Sequence, residues 1–231
     1  MLSGKDIKIK VCGITNIEDA QLVTKIGADY IGVIIEVEAS PRCLSLEQAR
    51  PICEQATLPV VTLFFNREAD QIQKAVATLH PYAIQLLGQE SPWLVKTLKR
   101  VTACEIWKSV HLPPQGTGEV NITEYQDRID SLVDAGVDAI VIDTVVGSTQ
   151  ENRRYGGTGQ VSNWVIARSL VEATPVRSFL AGGINPDNVQ QAIELVHPYG
   201  IDLSSGVEVA PGKKDPEKLR QLVLATGRTI P

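Results

Sequence analysis

The sequence is short of the features that mark several large classes of protein. Lysine and arginine number 22 against 27 aspartates and glutamates, a formal net charge of −5, and no basic stripe or run occurs. Tracking a nucleic-acid backbone needs clustered Lys and Arg, so nucleic acid is not expected as the main partner. A small anion needs only a few local donors and is not excluded. No apolar run approaches the roughly 20 residues that span a bilayer. Met1 to Asp6 is polar and lacks a signal-peptide core. A cytoplasmic chain with no membrane partner is therefore expected. Cys12, Cys43, Cys53 and Cys104 form no CxxC pair and no zinc pattern, which suggests free thiols in a reducing compartment. His80, His111 and His197 lack metal-ligand spacing and read as structural. No GxGxxG follows the first apolar run, and there is no low-complexity tract or solenoid-period repeat.

What is present is a regular alternation. Apolar runs of strand length occur at Ile7–Cys12, Asp29–Ile35, Leu58–Phe65, Tyr82–Leu86, Cys104–Val110, Ala139–Asp143, Arg177–Ala181 and Gly200–Ser204. Helical patterns follow each of them, opened by Asn16, Ser45, Glu68, Ser91-Pro92, Thr123, Ser162, Asn185-Pro186 and Asp215-Pro216. The runs are nearly continuous rather than alternating, which means both sheet faces are covered. Strict strand–helix alternation implies parallel strands with crossover helices. Eight such units in 231 residues suggest a single-domain (β/α)8 TIM barrel spanning residues 1–231. A doubly wound open sheet is the competing architecture and usually has fewer units.

In such a barrel, function sits on the loops that follow the strands. Cys12 ends the first strand and Asp143 the sixth, three steps apart around the ring, so their tips face one another across the mouth. A thiol and a carboxylic acid flanking a substrate suit general base and general acid. The plain alternatives are a small core cysteine, and a carboxylate that caps or pairs in the next loop. A thiol base acting near neutrality needs its pKa lowered below the free value, which is the expectation here. Gly156-Gly157-Thr158-Gly159, Gly182-Gly183 and Ser204-Ser205-Gly206 lie on the same rim. Glycine lets backbone N–H groups approach an anion. Gly157, Gly182, Gly183, Ser205 and Gly206 are thus candidates to bind a phosphate, where single glycine pairs would be ordinary turns. Arg42 follows the second strand and could hold a carboxylate by a bidentate contact, or lie solvated on the surface. Asp202, within the eighth strand, could hydrogen-bond substrate hydroxyls or tie down local backbone.

Taken together, these stretches resemble the phosphoribosylanthranilate isomerase family of tryptophan biosynthesis. The matching segments run from Lys10-Val11-Cys12-Gly13-Ile14-Thr15 and Ser40-Pro41-Arg42 through Phe65-Asn66, Ile84-Gln85-Leu86 and Asp143-Thr144. They continue in Gly156-Gly157-Thr158-Gly159, Asn163-Trp164, Ala181 to Val189, Asp202-Leu203-Ser204-Ser205-Gly206-Val207-Glu208 and Gly212-Lys213-Lys214-Asp215. The resemblance implies an Amadori rearrangement of N-(5-phosphoribosyl)anthranilate without metal or organic cofactor. It implies Asp143 as acid, Cys12 as base, Arg42 on the anthranilate carboxylate, Asp202 on the sugar and the glycine loops on the phosphate. The partner would be a small phosphorylated aminosugar, and the protein a monomer or homodimer. Three departures touch the pattern. Leu87 stands where the family usually has histidine, Val33-Ile34-Ile35-Glu36 replaces an aromatic strand end, and the 144–155 stretch with Arg153-Arg154 is long. The other readings are a paralogue acting on another phosphorylated aminoaldose and a non-catalytic sugar-phosphate-binding barrel.

Overall fold

A computed structural model describes residues 7–114, 116, 120–146, 154–155 and 163–230. Eight parallel strands are β1 (Lys8–Cys12), β2 (Tyr30–Ile35), β3 (Val60–Phe64), β4 (Ala83–Leu86), β5 (Glu105–Leu112), β6 (Ala139–Val146), β7 (Arg177–Leu180) and β8 (Gly200–Leu203). They pair in ring order, and β1 bonds both β2 and β8, so the sheet closes into the expected barrel. The helices are α1 (Ile17–Lys25), α2 (Leu46–Gln55), α3 (Ala69–Leu79), α4 (Pro92–Val101), α5 (Ile122–Asp134), α6 (Trp164–Ala173), α7 (Val189–Val196) and α8 (Pro216–Ala225).

Local chemistry places the helix starts. The Asn16 side chain accepts from Asp19 N, Ser45 and Gln48 form a reciprocal capping box, and Asp215 caps α8 ahead of Pro216. Helix α7 begins later than Asn185-Pro186 suggests. The Asn185 carboxamide accepts from Asp187 N, and Asn188 accepts from Asn185 N, which holds the intervening residues in a turn. Asn185 O still accepts from Val189 N, where the helix proper starts.

Two apolar layers follow from strand alternation. Outward residues such as Ile9, Val11, Ile31, Val33, Ile140 and Ile142 pack under the helices. Inward residues form a separate inner cluster that includes Cys12, Tyr30, Val61, Leu63, Trp107, Val141 and Phe179. The lower barrel is filled by rings: Trp107 and Phe179 stack at 4.7 Å, and Tyr30 meets Trp107 edge-on at 5.2 Å. Beside them Glu105 accepts from Trp107 Nε1 and Tyr82 and pairs with Arg177. The bottom is therefore closed by packing, and the chemically varied inward residues are left at the top.

Small elements missed by the alternation pattern decorate that top. Arg154–Tyr155 pairs antiparallel with Val145–Val146, so the sixth strand runs on past Asp143 into the 144–155 stretch. After β8, a 3-10 turn at Ser205–Val207 leads into a hairpin of Glu208–Ala210 with Lys213–Lys214. Among the described residues, no helix is long and apolar enough to cross a membrane.

Candidate active site

The inward parity of each strand selects the residues at the mouth. On β1 these are Lys10 and Cys12; their register partners are Asp202 and Tyr30 for Lys10, and Gly32 for Cys12. On β6 the inward series Ala139, Val141 ends in Asp143, level with His111 on β5. Cys12 and Asp143 thus rise from opposite sides of the ring, as the strand count requires.

Lys10 lies between them in electrostatic terms. Its ammonium is fully buried and donates to Asp202 Oδ2 at 2.7 Å. Burial alone would lower its pKa, but Asp202 and Cys12 outweigh that and raise it, so Lys10 stays charged. Room for this ammonium comes from Gly32: a Cβ there would lie 2.8 Å from Cys12 Sγ and 3.1 Å from Lys10 Nζ. The second oxygen of Asp202, Oδ1, is buried and has no hydrogen-bond partner among the described residues. A buried carboxylate oxygen left open is costly unless another donor meets it.

Cys12 is 7% exposed, at the tip of its strand, with its sulfur on the inner face. Burial pushes its thiol up, the Lys10 ammonium pulls it down and the Asp202 carboxylate pushes it up again. The result lies above the ordinary value, contrary to the expectation of a lowered pKa. The reason is that the Lys10 ammonium, already shared with Asp202, and the weaker pull of Lys214 do not offset removal of a thiolate from water. Asp143 moves in the direction an acid needs. Burial raises its carboxyl to about 7, against a hydrogen bond from Thr144 N that lowers it; Asp202 adds to the rise and Lys10 opposes it.

Arg42 is neither solvated nor simply open. It is buried, with its Cδ lying against Gly13. Its Nε donates to Glu208 Oε1 at 2.9 Å and its Nη2 to Glu208 Oε2 at 2.5 Å. Lys214 donates to the same carboxylate at 2.7 Å and to the Cys12 carbonyl oxygen at 2.6 Å. The bidentate carboxylate anticipated for Arg42 is thus, on one edge, the protein's own.

The glycine loops converge in part. Gly182 and Gly183 both have positive φ, 84° and 66°, at the tip of β7. A Cβ on Gly206 would fall on the Ile184 carbonyl oxygen, so the turns after β7 and β8 touch and only glycine fits the contact. Ser205 opens the same 3-10 turn. Gly157 lies outside the described residues, as do Gly156 and Gly159.

A family model described as N-(5'phosphoribosyl)anthranilate (PRA) isomerase matches residues 9–225. The chain belongs to this family. It is 37% identical to the N-(5'-phosphoribosyl)anthranilate isomerase of Pelobacter propionicus, over 94% of each chain. A crystal structure of monomers generated from the dimeric enzyme of Thermotoga maritima superposes with a TM-score of 0.77, at 28% identity, covering 96% of this chain and 98% of that one. A phosphoribosylanthranilate isomerase in complex with reduced 1-(o-carboxyphenylamino)-1-deoxyribulose 5-phosphate gives 0.76 at 28% identity and the same coverage.

Within this phosphoribosylanthranilate isomerase barrel, the departures at Leu87 and Glu36 follow strands β4 and β2 at the edge of the mouth, whereas residues 147–153 of the third lie outside the described residues. Leu87 packs partly buried against the inner cluster, and its carbonyl oxygen accepts from His111 Nε2 at 2.7 Å. That bond fixes the proton on Nε2, and burial lowers the His111 pKa to about 4, so the ring is neutral. His111 is therefore part of the mouth, unlike His80 and His197, which end helices in left-handed conformations. Glu36 is exposed, and its carbonyl accepts from Arg67. Sequence reasoning passed over Lys10, Glu208 and Lys214, although all three lie in the stretches that carry the resemblance. Lys10 had one available signal: a lysine at an inward position of a buried strand requires a carboxylate partner.

Proposed function

We propose that the chain isomerises N-(5-phosphoribosyl)anthranilate to 1-(2-carboxyphenylamino)-1-deoxyribulose 5-phosphate, with Asp143 as acid and Cys12 as base. Asp143 donates its proton to the furanose ring oxygen, the C1–O bond breaks, and the anthranilate nitrogen becomes a protonated Schiff base. Cys12 takes the proton from C2, and the electron pair moves into the C1–C2 bond to give an enolamine. Protonation at C1 and loss of the enol proton at C2 complete the ketone. The substrate nitrogen is the electron sink, so these steps call on no cofactor.

One observation carries the assignment: an acid raised to about 7 and a thiol occupy opposite inward strand tips, both in electrostatic reach of Lys10 and Asp202. In support, the open Asp202 Oδ1 can accept from a sugar hydroxyl, the paired turns at Gly182-Gly183 and Ser205-Gly206 suit a phosphate, and Arg42 suits a carboxylate. Gly157 is assigned to the phosphate from its sequence alone. We place the reaction in the cytoplasm, in a monomer or homodimer.

Base and acid pKa values are inverted relative to a simple pair, since the thiol lies above the carboxyl. The productive form, Asp143 protonated with Cys12 ionised, is then a minor tautomer of the singly protonated pair. It is scarce, but its thiolate is a correspondingly strong base and its acid a strong acid. Anthranilate fluorescence reports turnover directly. Cys12→Ser and Asp143→Asn are each expected to lower kcat by several orders of magnitude; wild-type rates in both would remove these two residues from the chemistry, and no turnover in the wild type would leave only a binding role for the barrel.

A further inference from the structure

Arg42 sits in a buried cluster of charged side chains. Arg42 and Lys214 share the single carboxylate of Glu208 in a buried setting, where burial lowers the Lys214 pKa and Glu208 opposes that fall. Burial would raise the Glu208 pKa, but the Arg42 hydrogen bonds and Lys214 outweigh it and hold the group below the ordinary carboxylate range. Glu208 is thus ionised and is the carboxylate that both cationic side chains meet. Gly212 N also donates to Glu208 Oε1, at 3.3 Å, and Lys218 Nζ to the Glu208 carbonyl oxygen, at 2.9 Å. The carboxylate is therefore held by its own hairpin, whose backbone at Glu208 is tied to α8 through Lys218.

The guanidinium has five N–H donors arranged on a plane. Glu208 takes one from Nε and one from Nη2, along one side. The end formed by Nη1 and the second Nη2 hydrogen is a separate pair of parallel donors, spaced for another carboxylate. We infer that Glu208 is a positioning residue which, braced by Lys214 and its hairpin, orients Arg42 so that this end meets the substrate's aryl carboxylate. Lys214 extends the brace to the Cys12 carbonyl oxygen, so carboxylate anchor and base share one support. The inference rests on the reading of Arg42 as the carboxylate anchor.

The test uses two ligands on the full chain: reduced 1-(o-carboxyphenylamino)-1-deoxyribulose 5-phosphate and its counterpart lacking the ring carboxylate. The ratio of their dissociation constants isolates carboxylate recognition from general damage to the barrel. Hydrogen bonds to charged groups lead us to expect a wild-type ratio on the order of 10- to 100-fold. Glu208→Asp keeps the charge but shortens the arm by one methylene. It should reduce the ratio by about fivefold or more, with thermal unfolding confirming a folded chain. Glu208→Gln, nearly isosteric, should reduce it likewise even though it makes the site more positive. If Glu208 merely balanced charge, Glu208→Gln would tighten binding of the carboxylate ligand. A ratio unchanged in Glu208→Asp, or raised in Glu208→Gln, overturns the inference. Arg42→Ala separates the two levels. A ratio lost there but kept in both Glu208 variants sinks only the positioning role, whereas a ratio kept in Arg42→Ala sinks the anchor reading itself.

Discussion

Asp143→Asn should make the protein more stable while disabling it, and the gain should depend on pH. The Asp143 carboxyl lies at about 7 in the folded barrel, chiefly through burial, against about 3.9 in an unfolded chain. The folded state therefore holds this proton more tightly than the unfolded state. Stability from this group is fully present below about pH 4, is lost progressively between about pH 4 and 7, and is constant above. About three pKa units correspond to about 4 kcal/mol if the carboxyl were sealed from water; partial exposure reduces the expectation to about 2–3 kcal/mol. Asparagine has no such titration. Urea unfolding of wild type and Asp143→Asn at a series of pH values from 4.5 to 8.5 measures the difference, in which titrations common to both proteins cancel. The advantage of the variant should grow as pH rises to about 7 and then level. An advantage that stays constant, or that shrinks with rising pH, would mean the carboxylate is paired in the fold and is not held as an acid by burial.

Four further outcomes follow from the same geometry. In wild type, kcat/KM should rise through about pH 7, because the singly protonated pair accumulates as Asp143 titrates and Cys12 does not; a fall through pH 7 would show that the two groups act independently with Asp143 alone limiting. Asp143→Asn should cost more in kcat than Arg42→Ala, whose main effect belongs in KM, and steady-state kinetics on both decide the order. Lys10→Met strips the counter-charge from buried Asp202 and should destabilise the fold by about 3–5 kcal/mol in urea unfolding, with Lys10→Met/Asp202→Leu recovering most of that. Gly206→Ala drives a methyl onto the Ile184 carbonyl and should cost about 1–3 kcal/mol in stability while raising the inhibition constant for inorganic phosphate.

Much of this protein is legible without coordinates because the barrel repeats a local rule. Near-continuous apolar runs such as Ala139-Ile140-Val141-Ile142 and capping residues such as Asn16, Ser45 and Asp215 report strands and helix starts from a few neighbouring positions. The two-residue strands and the hairpin after Val207 escape that rule, since they are too short to show a period. Asp202 illustrates the boundary within a single residue. Its place in a strand is readable, but its inward direction and its bond to Lys10, 192 positions away, are not.

The order of elements, and with it the opposition of Cys12 and Asp143 across the mouth, follows from the sequence alone, because a closed ring of eight parallel strands converts position in the chain into position around an axis. The tertiary structure alone decided the charge states. It spent one edge of Arg42 on Glu208, kept Lys10 cationic against Asp202, raised Asp143 and raised the thiol as well. Burial and through-space charge depend on which distant segments meet, and no local pattern records that.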